Sequence, residues 1–236
     1  MGATMDKNLI NEATSLLNPS KTNRRDFLKV GATVATGLGY VAAAEPVMAQ
    51  AIKTDFEGIQ GGEVAFMSND FQMSAYVARP KQSPKAGLPV IVVISEIFGV
   101  HEYIADVTRR FAKLGYLAIA PELFARAGDP SSMGTLAEIM KEIVAKTPDA
   151  QVLRDLEVAI QWCQAHGGDI QRLGVTGFCW GGRITWLSAT LPQVRAGVAW
   201  YGRLIGEKTE NSPRHPVEIA AELKAPVLGL YGAADT

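Results

Sequence analysis

From Val90 onward the chain alternates between short apolar runs and segments of helical periodicity, and that alternation leaves little choice of architecture. Val90-Ile91-Val92-Val93-Ile94 is apolar and β-branched throughout, the composition of a strand buried on both faces of a parallel sheet. Ile104, Val107, Phe111 and Leu114 then recur at helical spacing, and Gly115 closes that helix. Residues 116–120 read as a second buried strand. Residues 136–144 and 153–162 are helical in period, with Pro148 and Asp149 at the start of the second helix. Residues 173–176, 196–200 and 227–231 read as further strands. Ahead of them, residues 63–67 and 73–79 flank the turn residues Ser68-Asn69-Asp70, which predicts a β-hairpin. The expected fold class is α/β, a doubly wound, mostly parallel sheet with right-handed crossovers. Neither an internal repeat nor a linker divides residues 50–236, so these are read as one domain.

Composition removes several function classes. The 236 residues carry a formal net charge of -1 with acidic and basic residues intermingled, so no basic stripe points to nucleic acid. Two cysteines cannot build a disulfide framework, and with three histidines they form no zinc-binding spacing. Catalysis without a metal is the expectation.

Residues 1–49 read as a targeting segment rather than as fold. Asn23-Arg24-Arg25-Asp26-Phe27-Leu28-Lys29 holds a twin-arginine pair followed by an aromatic and an aliphatic residue. A Gly/Ala-rich, weakly apolar run follows over residues 30–44, and Val47-Met48-Ala49 offers small residues for cleavage. The pattern resembles a twin-arginine export signal, which implies the export machinery as a partner, cleavage after Ala49 and a periplasmic location. The run is short of the roughly twenty residues of a stable membrane span. Residues 1–22 are too polar to form a core.

Gly177-Phe178-Cys179-Trp180-Gly181-Gly182 lies between the strand at 173–176 and a segment that reads as helix from residue 183 to 189. A small-x-nucleophile-x-small pattern in that context is the nucleophile elbow of α/β-hydrolases, with cysteine in the nucleophile position. The turn is so tight that side chains two residues either side of the nucleophile would collide, which accounts for the glycines. In that fold the triad acid follows a later strand and the histidine follows the acid. Tyr231-Gly232-Ala233-Ala234-Asp235 occupies the acid position, so Asp235 fits the acid; a plain turn aspartate is the other reading. No histidine follows it before Thr236. Of the three present, His166 falls before the elbow strand, His215 precedes the acid strand, and His101 follows the first buried strand on the edge where the elbow should lie. A fold of this order is expected to continue into a base loop, one more strand and a closing helix. As given, the chain is expected to be inactive or strongly impaired. A non-catalytic α/β module that binds a small acid is the competing reading.

Four separated segments resemble the dienelactone hydrolase family, the carboxymethylenebutenolidases. They are Glu96-Ile97-Phe98-Gly99-Val100, Pro121-Glu122-Leu123-Phe124-Ala125-Arg126, the cysteine elbow, and Tyr231-Gly232-Ala233-Ala234-Asp235. The resemblance implies a single-domain α/β-hydrolase with a Cys-His-Asp triad and no cofactor, acting on an anionic lactone or, more broadly, on carboxylic esters. Carried over by position, Cys179 matches the nucleophile and Asp235 the acid, while Glu96 matches a glutamate that contacts the resting thiol. The backbone N–H groups of Ile97 and Trp180 match the oxyanion hole. Arg126 matches an arginine that grips the substrate carboxylate. Glu96 also fits a strand-end carboxylate paired with Arg126. Tyr201 fits both a pocket wall and a core aromatic, and Cys163 reads as a core thiol.

Overall fold

The computed structural model describes residues 53–234; the twin-arginine segment, the cleavage site after Ala49 and Asp235 lie outside the described residues. Seven strands form one sheet: β1 (Ile59–Ser68), β2 (Phe71–Pro80), β3 (Leu88–Ile94), β4 (Leu117–Pro121), β5 (Gly168–Phe178), β6 (Ala196–Trp200) and β7 (Val227–Leu230). Their spatial order is β1-β2-β4-β3-β5-β6-β7. β1 and β2 form the expected hairpin, and β2 pairs antiparallel with β4. Every later pairing is parallel. The longer helices are α1 (Glu102–Lys113), α2 (Asp149–Ala165) and α3 (Trp180–Ser188).

The β-branched run does what its composition demands. Val90, Val92, Val93 and Ile94 are fully buried, because alternate side chains meet different layers. Val90, Val92 and Ile94 pack with Val152, Leu156 and Ile160 of α2 and with Ile184 and Leu187 of α3. Val93 packs on the other face with Ile104 and Val107 of α1. The sheet is thus covered on both sides.

Helix ends follow their sequence signals. Gly115 takes φ 95°, and the N–H groups of Gly115 and Tyr116 donate to Ala112 and Phe111 at 3.0 and 3.1 Å, a Schellman end that returns the chain into β4. The segment at 136–144 departs from the regular helix expected of it. A turn at Leu136–Glu138, closed by a Thr135/Glu138 capping box, passes into a π-helical Ile139–Ile143 and a 3-10 turn at Val144–Lys146. The widened turn keeps Ile139 and Ile143 in the core while Lys141 stays outside. Pro148 then forces the preceding residue out of helical geometry. Strand β5 is longer than its apolar stretch suggests. Its first residues pair with the start of β3 across a bulge between Pro89 and Val90, and backbone pairing does not require apolar side chains.

Candidate active site

Register places the sequence candidates along one edge of the sheet. Ile94 pairs with Gly177, so Glu96 and Cys179 each lie two residues beyond matched positions on adjacent strands. Phe178 pairs with Trp200, which sets Tyr201 level with Cys179 on the other side. These are the carboxyl ends of the parallel strands, where open α/β sheets hold their ligands.

The elbow has the geometry that its glycines imply. Cys179 adopts φ 53° and ψ -114°, a strained combination for a residue with a side chain, and α3 begins at the next residue. The glycines leave no room for anything larger. A Cβ on Gly177 would stand 2.2 Å from the Gly181 carbonyl oxygen, and one on Gly181 would stand 2.5 Å from the carbonyl oxygens of Ile94 and Ser95. The second contact seats the start of α3 against the end of β3, which brings the loop carrying Ile97 beside the elbow. As the first residue of α3, Trp180 has a backbone N–H that no helical carbonyl can accept. The α3 dipole adds positive character at the same point. The Trp180 ring lies against Phe124 at 4.4 Å between centroids.

The remaining candidates divide. Glu96 pairs with His101, its carboxylate 3.1 Å from Nε2, and not with Arg126. Arg126 points toward the hairpin tip instead. Its Nη2 donates to the Ser68 carbonyl at 2.7 Å and to buried Asp155 at 3.2 Å, and its guanidinium lies 4.6 Å over the Phe71 ring. A substrate carboxylate would have to compete with Asp155 for it. Tyr201 sits at φ 41° beside the elbow, its ring 6.5 Å from that of Phe178. His166 caps α2 at the far end of β5 and stacks on Trp162 at 3.9 Å. His215 is buried beside Arg183. Among the three, His101 is the one on the loop that directly follows β3. Cys163 is fully buried, and burial pushes its thiol up to about 12, so it stays protonated and inert.

Among the described residues, no group of three or more His, Cys, Asp and Glu is arranged to hold a metal, and no helix is long and apolar enough to cross a membrane.

Glu122 belongs to the site although its chemistry was not singled out from the sequence. Its Oε2 accepts from the Val100 N–H at 2.7 Å, while its buried Oε1 has no partner among the described residues. Gly99, at φ 74°, is pressed against it; an added Cβ there would stand 2.8 Å from Oε1. Burial pushes this carboxyl up, with Asp129 adding to the effect, against the pull of the Val100 and Phe124 N–H groups. The folded protein therefore holds this proton more tightly than the unfolded chain does. Glu122 contributes stability below the ordinary glutamate range that is lost as pH rises through its raised value. Thermal melts of the wild type and Glu122→Gln between pH 4 and 8 should show the wild type losing ground as pH rises. Parallel curves would mean that Glu122 titrates as it does in the unfolded chain.

Comparison with known proteins agrees with this geometry. The model of the "Dienelactone hydrolase family" matches residues 73–236. The chain belongs to the dienelactone hydrolase family. A provisionally named carboxymethylenebutenolidase from Salmonella typhimurium is 53% identical over 199 residues, covering 84% of this chain and 73% of that one. A relative with the same provisional name from Methylorubrum extorquens is 53% identical over 207 residues, covering 86% and 70%. The crystal structure of a provisionally named dienelactone hydrolase from Klebsiella pneumoniae shares 57% identity at a TM-score of 0.72, covering 74% of this chain and 73% of that one. The fold is accordingly the α/β-hydrolase fold, and the family is one of hydrolases acting on small molecules.

Proposed function

We propose that the protein hydrolyses a carboxylic ester or lactone through Cys179 and a thioester intermediate. The observation that carries this reading is the strained backbone of Cys179 at the junction of β5 and α3. Such strain persists only where the surrounding structure enforces it, and here it lifts a sulfur to the N-terminus of a helix. In the first step the thiolate attacks the ester carbonyl, the C–O bond breaks, and an alcohol or enol leaves. The N–H groups of Trp180 and Ile97 are assigned to the oxyanion, one from each of two adjacent loops. In the second step water attacks the thioester and restores the thiol. An imidazole base takes the proton from water, with Asp235 orienting it; in the chain order of this fold that imidazole follows the acid. The family resemblance and the relatives' names favour an anionic lactone as substrate. Arg126 is the candidate for its carboxylate and Tyr201 for the pocket wall. We further propose that Arg24, Arg25 and the small residues ending at Ala49 direct export to the periplasm.

The test is to trap the intermediate. Incubation of full-length protein with p-nitrophenyl acetate at low pH, followed by digestion and mass spectrometry, should find one acetyl group on Cys179. Acetylation confined to other side chains would remove the thioester mechanism.

A further inference from the structure

Beyond the elbow, one imidazole meets a carboxylate on the loop from β3 to α1. Glu96 and His101 meet at 3.1 Å with side chains only 13% and 19% exposed. An ionised carboxylate can only accept a hydrogen bond, so Nε2 carries the proton. The contact spans five residues and closes the segment from Glu96 to His101 into a ring of chain that contains Ile97. The imidazole is itself held in place. The His101 N–H donates to the Gly99 carbonyl at 3.1 Å, and its own carbonyl accepts from Ala105 at 3.0 Å, which fixes it at the start of α1. Its ring stacks on Tyr103 with centroids 6.3 Å apart, and Tyr103 meets Phe178 edge-on at 6.2 Å. Phe178 is the residue before Cys179. From the segment after β4, Glu122 grips the same loop through the Val100 N–H.

We propose that His101 is a positioning residue, which clasps the Glu96 carboxylate and so holds the Ile97 N–H toward the oxyanion formed at Cys179. The inference rests on Cys179 being the nucleophile. The electrostatic reason is plain. A carboxylate bound to an N–H donor is partly neutralised, so it opposes less a negative charge that develops on the adjacent loop.

Two substitutions in the full-length protein test this. His101→Ala removes the donor, and His101→Gln restores an N–H close to the position of Nε2 without a titrating ring. With p-nitrophenyl acetate, His101→Ala should lower kcat about tenfold while KM stays within about twofold, the expected result when a contact to the oxyanion loosens. His101→Gln should recover most of that loss. Amide hydrogen exchange at residues 97–100 should quicken in the alanine variant and not in the glutamine one. An alanine variant with unchanged kcat and unchanged exchange overturns the clasp. Equal losses in both variants overturn it too, because they would mark His101 as a proton-transfer group. The exchange measurement does not depend on turnover. If Cys179→Ala kept full activity, the nucleophile assignment would fall while the exchange data still reported on the Glu96–His101 contact.

Discussion

Replacing Cys179 by alanine in the full-length protein is expected to lower kcat/KM toward an activated ester by about ten-thousand-fold, with the fold intact. Removing a covalent nucleophile eliminates both steps of the reaction, and only the oxyanion donors and binding contacts remain to speed direct attack by water. Serine at the same position should recover little, because a hydroxyl is far less acidic than a thiol and depends fully on an adjacent base. The backbone supplies an independent readout. Cys179 holds φ 53° and ψ -114°, a conformation that costs a residue with a side chain about 1–3 kcal/mol. Glycine reaches positive φ without that cost. Cys179→Gly should therefore be inactive and yet melt higher than Cys179→Ala. Retention of activity within tenfold in the alanine variant would refute the nucleophile assignment. A glycine variant no more stable than the alanine one would show that the elbow carries no strain.

The second large effect is expected at Arg183, one turn into α3. Its side chain is buried and forms a two-pronged contact with Asp149, Nη1 and Nη2 each 2.7 Å from a carboxylate oxygen. Nη2 also donates to the Arg214 carbonyl at 2.8 Å, and Nε donates to His215 Nδ1 at 3.3 Å. One guanidinium therefore joins α3, the start of α2 and the chain after β6. Arg183→Met would leave Asp149 charged, buried and unpaired, which typically costs about 3–5 kcal/mol. For a protein of this size that corresponds to a fall in Tm of roughly 6–20 °C. Lysine should be intermediate, since it keeps the charge and loses the fork. Replacing both partners, as Arg183→Met with Asp149→Leu, should recover much of the loss, because the penalty comes from the orphaned carboxylate. A single methionine variant as stable as the wild type would mean that water already reaches this pair.

Much of the fold was legible because it is written in local patterns. Val90 to Ile94 could only be a strand covered on both faces, and Gly115 could only be a helix end of left-handed φ. The elbow was legible for the same reason: Gly177, Gly181 and Gly182 are required by contacts within one turn and its immediate neighbours. The π-helical turn at Ile139–Ile143 was not legible, since its apolar spacing suits an ordinary helix equally well. Side-chain partnerships between distant segments were also hidden. Glu96 chose His101 over Arg126, Arg126 chose Asp155, and Arg183 chose Asp149. Each choice depends on where a guanidinium or carboxylate ends up after the chain has folded, and no spacing rule encodes that.

The amino-acid sequence by itself determined the doubly wound sheet, the position of the elbow and the identity of its cysteine, because hydrophobic period and steric exclusion act over a few residues. Only the tertiary structure decided which charges meet, and that Glu122 and His101 contact the loop between β3 and α1 beside Cys179. Burial and charge pairing are properties of residues brought together from far apart, and they exist only once the sheet has closed over its helices.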